Sequence, residues 1–461
     1  MKPPSRVKVK YTRLGRLAVM VLAGSLSPGR AAVAQGGIAA RYQPAADSLI
    51  RAATRDSAAY RRLGLLVDTF GPRLSGSASL EAAIDWVLRE MKADGLENVR
   101  GEPVMVPRWV RGAESAELVQ PRRAALAMVG LGGSVATPAR GITAPVLVVG
   151  SLEELARRGA EARGKIVLFD APFTEYTATR RVRTDGPSAA ARAGAVACLI
   201  RSVASFSMRN PHTGETVYDS TSPRIPAAAL SMEDAEMLHR FQDRGARVVV
   251  TLRMEARRLP DASSRNVVAE LVGRERPDEV VVLGGHIDSW DVGQGAMDDG
   301  GGVVAAWEAV RLLRQLGLRP RRTVRVVLWT NEENGGRGAD AYRDAHGGER
   351  HVLAMESDNG AFNPRGYVLS AHDSLAAVVQ QVARLMGAIG ATHVERVAES
   401  PAADIEPLAR LGVPTMELDV DATRYFWYHH SDADMLDKLD PAELARCVAA
   451  MGVMAYVMAD R

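Results

Sequence analysis

The sequence predicts an α/β protein with a mostly parallel mixed sheet that is flanked by helices on both faces. From about residue 262, apolar runs typical of buried strands alternate with helical patterns; the runs include NVVAELVG, EVVVLGGH, TVRVVLWT and VPTMELDV, and the helices GGVVAAWEAVRLLRQLG and PAELARCVAAMGVMAYVMAD. Such alternation is typical of parallel strands joined by crossover helices. Acids and histidines also follow directly on several runs, where the carboxyl ends of parallel strands gather ligands.

Length and composition allow two domains, or one large domain that carries an insertion. The 461 residues are 47% apolar, and no internal apolar run is long enough to indicate a membrane span. Seven of the 58 basic residues and none of the 55 acidic residues lie in the first 34, so the rest of the chain is slightly acidic. We therefore expect no nucleic-acid partner and no stable membrane insertion.

The N-terminus is typical of a secretory signal peptide. A basic segment, MKPPSRVKVKYTRLGR, precedes the apolar LAVMVLAGSLS and a small-residue cleavage pattern that ends at Ala34. An uncleaved anchor helix is the alternative, but so short an apolar run spans a bilayer poorly. We predict export, periplasmic or secreted, after cleavage near Ala34.

Two further parts precede the strand–helix alternation. Residues 44–65 and 78–96 carry helical apolar spacing, with the loop FGPRLSGS between them. Residues 112–255 contain strand-like runs such as ITAPVLVVG and GKIVLFDA but no clustered acids with ligand spacing, so we predict a separate α/β or β-rich module without metal chemistry. Cys198 and Cys447 lie in apolar contexts far apart, which favours buried free thiols over a disulfide.

Candidate metal ligands are spread over the C-terminal half. They are His286 and Asp288 in GGHIDSWD, Asp298 and Asp299 in GAMDDGGG, Glu332 and Glu333 in WTNEENGG, Asp358 in MESDNG, and His430 in YHHSDADML. Neutral imidazoles and hard carboxylates together suit a pair of borderline divalent cations, most simply zinc. A single HxD or EE pair would be weak evidence, but the combination predicts a two-metal hydrolase.

The same motifs carry a resemblance to a known family. HIDSWD, MDD twelve residues after the histidine, EE, ESD and HHS are similar to those of the co-catalytic zinc peptidases of the aminopeptidase type. YFWYHHSDADMLDKLDP resembles the C-terminal signature of the carboxypeptidase Q branch. Residues 112–255 resemble the protease-associated insert of that branch. The resemblance implies four parts: a signal peptide (1–34), the N-terminal part of the peptidase domain (35–111), a protease-associated-like insert (112–255) and the di-zinc peptidase domain (256–461).

The resemblance implies that five residues hold two Zn²⁺ ions per chain. His286 and Asp358 would hold one ion, Glu333 and His430 would hold the other, and Asp298 would bridge both. The family pattern places the ligand of the C-terminal histidine pair immediately before the serine, which selects His430.

Two other acids receive catalytic roles from the resemblance. Glu332 would be the general base for a water held between the metals, and Asp288 would orient the imidazole of His286. Asp299 stays open between support of the site and helix capping. Asp404 matches a family acid that could contact the substrate amine, and His429 is expected to be a rim or packing residue.

Three neighbouring features add expectations. GGG at 300–302 would let the backbone approach the metals closely. Asn331 precedes the glutamate pair where relatives often carry alanine, a departure that could alter contacts beside the base. The aromatic residues 425–428 pack in the core or wall the substrate pocket.

These implications describe an exported di-zinc exopeptidase that hydrolyses dipeptides or short peptides. Two other classes stay open: a catalytically inactive peptide-binding homologue, and an aminoacyl cyclase on the same fold that uses one zinc ion. Aminopeptidase, dipeptidase and carboxypeptidase action also stay open. The insert is expected to restrict access to short peptides without supplying a catalytic group, and could form a homodimer contact.

Overall fold

The computed structural model describes the backbone of residues 29–461 and the side chains from residue 37 onward. The predicted signal peptide, residues 1–34, lies outside the described side chains. Within the described residues there are two eight-stranded sheets. Residues 114–254 form one of them, and the strands before and after that segment form the other.

The N-terminal part contributes helices and one edge strand to the first sheet. Its elements are α1 (Gly29–Arg55), α2 (Ala58–Phe70), α3 (Ala78–Ala93) and β1 (Glu97–Val110). The helical spacing of residues 44–65 falls on two helices, α1 and α2, and the Asp56 carboxylate accepts the Ala58 N–H at 2.8 Å where the second one starts. The helix predicted over 78–96 is α3, which begins where the Ser77 hydroxyl accepts the Leu80 N–H.

Residues 114–254 form the second sheet. Its elements are β2 (Glu114–Gln120), β3 (Ala124–Leu126), β4 (Met128–Gly130), β5 (Ile142–Val149), α4 (Leu152–Arg158), β6 (Ile166–Phe169), α5 (Tyr176–Thr179), α6 (Arg181–Thr184), α7 (Gly186–Arg192), β7 (Ala197–Arg201), β8 (Ala227–Leu230), α8 (Met232–Asp243) and β9 (Val249–Met254). The strand order is β3-β2-β9-β5-β6-β7-β8-β4, and β5 to β8 are parallel. Each face has its own apolar cluster, so this segment has a core of its own.

The C-terminal part completes the first sheet. Its elements are β10 (Arg257–Leu271), β11 (Arg276–His286), α9 (Gly301–Gln315), β12 (Arg322–Trp329), α10 (Arg337–His346), β13 (Arg350–Glu356), β14 (Pro364–Ser370), α11 (Asp373–Ala383), β15 (His393–Arg396), α12 (Glu406–Ala409), β16 (Thr415–Val420), α13 (Tyr425–Tyr428) and α14 (Pro441–Asp460). The sequence patterns did not reveal α10, β14 or β15. The sequence of β14 contains Pro364 and Gly366, and β15 is short and mostly exposed, so neither shows an apolar run.

The first sheet is mixed, with the order β1-β10-β12-β11-β13-β16-β14-β15. Its central strands β12, β11, β13 and β16 are parallel, which confirms the predicted α/β fold with a mixed sheet flanked by helices. His286 pairs with Trp329, and Gly284 with Glu356. The carboxyl ends of β11, β12 and β13 therefore meet at one edge of the sheet.

The C-terminal helix α14 is a core element of the first sheet. It packs against α1 and α9, and most of its residues are buried. Among the described residues it alone is long and apolar enough to cross a membrane, but the core helix of a folded domain has the same composition. Cys447 on α14 and Cys198 on β7 are both buried and free, as expected.

A buried ionic cluster joins β10, β12 and α10. Arg325 donates to Glu270 at 2.7 Å and to Glu349 at 2.7 Å, and His346 contacts Glu349 through Nδ1 (2.7 Å) and Glu102 through Nε2 (2.9 Å). The hydrogen bond with Glu102 raises the pKa of His346 above its usual 6.5. Burial opposes ionisation of Glu102, but the bond from His346 holds the pKa of that carboxyl below 4.5.

We expect His346→Gln to lower the free energy of unfolding by about 1–2 kcal/mol near about pH 6 and by less near about pH 9. Because the folded pKa is raised, the contribution of His346 is complete below its ordinary pKa and is lost as the pH rises through the folded value. Urea unfolding at both pH values measures the difference, with the exposed His393→Gln as the control. An equal loss at both pH values would show that His346 is uncharged in the cluster.

Candidate metal centre and active site

The candidate ligands gather where the central parallel strands end. His286 is the last residue of β11, Glu333 lies in the turn after β12, and Asp358 follows β13 by two residues. Asp298 lies in the turn 296–300 that precedes α9, and His430 follows α13 by two residues. The structure thus brings all five predicted ligands to one edge of the first sheet, and four of them are buried.

Asp298 lies between two buried histidines. Its Oδ1 is 3.2 Å from Nε2 of His286, which is also 3.2 Å from Oδ1 of Asp358. Its Oδ2 is 3.2 Å from Nε2 of His430, which is 3.0 Å from Oε2 of Glu333. The five residues therefore form two half-sites that share the carboxylate of Asp298.

His429 and His430 compete for the second half-site. Their rings stack with centroids 3.4 Å apart, and Nε2 of His429 is 3.6 Å from Asp298 Oδ2. His430 is within 3.2 Å of both Asp298 and Glu333, so the distances favour it. His429 packs against Tyr425 and Phe426 and lines the cavity beside the site.

The two adjacent glutamates face different groups. Glu333 accepts the backbone N–H of Trp290 through Oε1 at 3.1 Å, and its Oε2 faces His430. Glu332 lines the cavity, and its backbone N–H donates to Asp288 Oδ1 at 3.1 Å. Burial raises the pKa of Glu332 to about 8, although His286 partly opposes this effect.

Asp288 holds two site residues, by a different route from the predicted one. Nδ1 of His286 donates to the backbone carbonyl of Asp288 at 3.0 Å, whereas its distance to the Asp288 carboxylate is 3.9 Å. The carboxylate instead accepts hydrogen bonds from the Glu332 N–H and from the Ser75 hydroxyl, each at 3.1 Å. The side chain of Asp288 therefore positions Glu332, and its carbonyl fixes the tautomer of His286.

Asp299 combines both alternatives left open by the sequence. Its Oδ2 accepts the His286 N–H and its Oδ1 accepts the Gly302 N–H, each at 3.0 Å. It thus caps the start of α9 and fixes the end of β11. A Cβ at Gly302 would collide with the carbonyl of Ser357 and with Asp299, so glycine allows these groups to pack closely here. The close approach of GGG to the metals stays a prediction.

Several positioning residues escaped the sequence patterns. Asp434 accepts the backbone N–H groups of Ala296, Met297 and Asp298 at 3.0, 2.7 and 3.2 Å. Arg73 is fully buried and donates to the backbone carbonyls of Ile287, Gln294 and Gly295, which lie at the two ends of the loop between β11 and the turn 296–300. These residues bond mainly to backbone, which leaves no spacing signal in the sequence.

Asn331 connects Ser75 to the glutamate pair. Its backbone has a φ of 68°, and its amide donates to the Ser75 hydroxyl at 3.1 Å. Because Ser75 in turn donates to Asp288, the side chain of Asn331 reaches the acid that positions Glu332. Asn331 can therefore affect the contacts beside Glu332 through the hydrogen bonds of Ser75 and Asp288.

The donor set fits a pair of zinc ions. Donor atoms of His286, Asp298 and Glu333 lie within 4.8 Å of one another, as do those of Asp298, His429 and His430. Oδ2 of Asp298 is buried without a hydrogen-bond partner among the described residues. Burial raises the pKa of Glu333 and of Asp358, and positive charge placed among these carboxylates would relieve that cost.

A cavity of about 550 Å³ opens over the half-sites. Its wall combines eight acids, two arginines and several aromatic residues: Glu215, Asp298, Glu332, Glu333, Asp358, Glu399, Glu406, Glu417, Arg180, Arg183, Tyr176, Tyr425 and Phe426. Tyr176, Arg180, Arg183 and Glu215 come from the second-sheet segment. Of the aromatic run 425–428, two residues line the cavity, whereas Trp427 pairs with Phe206.

Asp404 lies behind the cavity wall. It is 2% exposed, does not line the cavity, and its carboxylate oxygens have no hydrogen-bond partner among the described residues. Burial, reinforced by the charge of Glu332, raises the pKa of this carboxyl. The geometry therefore does not place Asp404 where it would meet a substrate amine.

Comparison with known proteins identifies the family. Residues 266–455 match the profile of peptidase family M28. Carboxypeptidase Q from Bos taurus is 47% identical over 426 residues, which are 91% of this chain and 90% of the bovine protein. The chain therefore belongs to peptidase family M28, and the predicted class of zinc metallopeptidase is confirmed.

Further relatives support the same assignment. Carboxypeptidase Q from Homo sapiens is 47% identical over 403 residues, which are 87% of this chain and 85% of the human protein. A peptidase M28 precursor from Shewanella amazonensis SB2B matches with a TM-score of 0.88 and 36% identity over 91% of this chain and 97% of that structure. An aminopeptidase from Aneurinibacillus sp. strain AM-1 shares the fold (TM-score 0.64, 18% identity, coverage 90% and 96%).

We expect Asp434→Ala to lower the free energy of unfolding by about 2–4 kcal/mol, because it leaves three buried backbone N–H groups without an acceptor. Urea unfolding of the purified variant measures the change. Asp432→Ala is the matched control, since Asp432 is an exposed acid in the same loop. If both variants unfold alike, the backbone bonds of Asp434 do not hold the turn that carries Asp298.

Proposed function

We propose that the chain is an exported di-zinc exopeptidase that hydrolyses dipeptides or short peptides with Glu332 as general base. The observation that carries the proposal is Asp298, whose two oxygens each face a different histidine at 3.2 Å. A shared carboxylate of this kind is typical of two-metal hydrolytic sites. Export rests on the signal-peptide pattern alone.

The five candidate ligands divide between two ions. His286 and Asp358 would hold one, Glu333 and His430 the other, and Asp298 both. When bound there, zinc lowers the pKa of water and stabilises the negative charge that develops on the peptide oxygen. Asp288 supports this arrangement because its backbone carbonyl accepts a hydrogen bond from Nδ1 of His286, which leaves Nε2 of that ring for the metal.

Glu332 is placed to move the proton. It lines the cavity beside Glu333 without facing either histidine nitrogen at bonding distance, and Asp288 holds its backbone. In this proposal Glu332 takes a proton from the attacking water and delivers it to the nitrogen of the leaving amine. A carboxyl whose pKa is raised by burial is suited to such an exchange near neutral pH.

The cavity wall supports a short peptide with free ends. Four of the eight acids in the wall are neither candidate ligands nor the proposed base, and they would attract the ammonium group of a free N-terminus; they are Glu215, Glu399, Glu406 and Glu417. Arg180 and Arg183 are the arginines of the wall and could face a carboxylate. Because they belong to residues 112–255, we propose that this protease-associated-like insert covers the site and restricts peptide length.

The proposed peptidase and its two alternatives, an aminoacyl cyclase and an inactive peptide-binding protein, predict different numbers of bound zinc ions. Two zinc ions per purified chain support the peptidase, one ion would favour the aminoacyl cyclase, and none would favour a binding protein. The presence of all five candidate ligands and of Glu332 in one cluster favours the peptidase. Metal analysis together with hydrolysis of unblocked dipeptides tests the proposal.

We expect Glu332→Gln to keep the fold and both zinc ions but to lower kcat by at least about 10²–10⁴-fold, since the amide accepts no proton. Steady-state kinetics and metal analysis of the same preparation measure both effects. Glu395→Gln, at an exposed position on β15, is the control. Near-normal turnover in the Glu332 variant would show that another group is the base.

We expect unblocked dipeptides to be cleaved faster than hexapeptides, and N-acetylated dipeptides to resist cleavage. The acidic wall favours an ammonium group, and the proposed cover by residues 112–255 would restrict peptide length. A panel of di- to hexapeptides with free, N-blocked and C-blocked ends measures both preferences. Rapid hydrolysis of the N-blocked peptides would rule out recognition of a free amine.

A further inference from the structure

A buried segment of the second-sheet part reaches the candidate ligand His430. Residues 210–213, here called the insert strap, lie between β7 and β8 and contact residues 429–431. Within the strap, His212 is 1% exposed and Thr213 is fully buried. The contact therefore belongs to the interior of the molecule and not to a solvated surface.

The strap binds three consecutive residues around His430. The Thr213 N–H donates to the His430 carbonyl at 2.8 Å, and Nδ1 of His212 donates to the His429 carbonyl at 2.6 Å. The side-chain amide of Asn210 donates to the Ser431 hydroxyl at 3.2 Å. The strap therefore holds the backbone carbonyls of His429 and His430 and the side chain of Ser431.

The strap is itself anchored in the second sheet. The His212 N–H donates to the Ser202 hydroxyl at 2.9 Å, and the Thr213 hydroxyl donates to the Gly130 carbonyl at 2.7 Å. Nε2 of His212 accepts from the Asn210 amide at 3.1 Å, which leaves the proton of a neutral ring on Nδ1. Burial lowers the pKa of His212 to about 4, consistent with a neutral ring.

His430 lacks the restraint that orients the other histidine. Nδ1 of His286 donates to the Asp288 carbonyl, whereas Nδ1 of His430 is buried without a hydrogen-bond partner among the described residues. The backbone of His430 also has a φ of 60°, a left-handed conformation that side chains other than glycine rarely adopt. Such a conformation persists only where the surroundings hold it.

We propose that the insert strap positions His430 for metal binding, with His212 as the central positioning residue. The strap supplies through the backbone the orientation that a metal-binding histidine normally gains from its second ring nitrogen. This inference rests on the proposed function, because it concerns the zinc ion that His430 and Glu333 would hold. It gives residues 112–255 a part in the metal site without any ligand from that segment.

The test compares zinc binding by three variants of the full-length chain. His212→Ala removes the donor to the His429 carbonyl, and His212→Asn keeps an N–H donor near the position of Nδ1. His239→Ala is the matched control, because His239 contacts Asp170 and Asp243 within the same segment. Titration with a chromophoric chelator measures the affinity for each of the two ions, and circular dichroism checks the fold.

We expect His212→Ala to weaken the binding of one ion by about 10–100-fold and to leave the other unchanged. His212→Asn should recover most of that affinity, and His239→Ala should bind both ions as the wild-type chain does. If His212→Ala fails to fold, Asn210→Ala carries the same comparison with a smaller selective loss. This variant loses the bonds to His212 and Ser431, and also the bond that the Asn210 side-chain oxygen accepts from the Met208 N–H within the same segment.

Three outcomes would overturn the inference. Unchanged affinity for both ions in folded His212→Ala would remove it and leave the proposed function intact. Equal weakening of both ions in the folded variants would show a general effect on the fold and not positioning of His430. A wild-type chain that binds fewer than two zinc ions would overturn the proposed site together with this inference.

Discussion

The contact of Asp298 with two buried histidines is the interaction on which the rest of the site depends. One oxygen faces His286 and the other faces His430, each at 3.2 Å. Burial opposes ionisation of this carboxyl, but the two neighbouring imidazoles hold its pKa well below the usual range. A carboxylate that stays charged in a buried position needs such partners, and the surrounding loops are arranged to provide them.

Buried carboxylates also organise those loops by accepting backbone N–H groups. Asp434 accepts three from the turn that carries Asp298, and Asp299 accepts one from the end of β11 and one from the start of α9. Glu356 accepts the N–H groups of Asp404 and Ile405 in the same way. The irregular backbone around the site is therefore held by side chains, where a sheet or helix would use its own hydrogen bonds.

The second-sheet segment and the first sheet meet at the site through several independent contacts. Arg111, which connects β1 to β2, forms ion pairs with Glu114 of the second-sheet segment and with Asp291, next to Trp290. Gly132 lies so close to the Trp290 ring that a Cβ there would collide with it. Together with the bonds of the strap, these contacts make residues 112–255 part of the walls and support of the site, although the candidate ligands all lie after residue 256.

The sequence by itself determined the central strands, the helices α9 and α14, the family and the candidate ligands. These features depend on local apolar periodicity and on short motifs at strand ends, which are visible in one dimension. It did not reveal the break between α1 and α2, nor α10, β14 and β15, where polar or glycine- and proline-containing segments lack that periodicity. Only the tertiary structure decided that Asp434, Arg73 and His212 support the site, and that Asp288 acts through both its carbonyl and its carboxylate. These residues bond to backbone atoms far away in the chain, and such bonds depend on how the loops fold together in space.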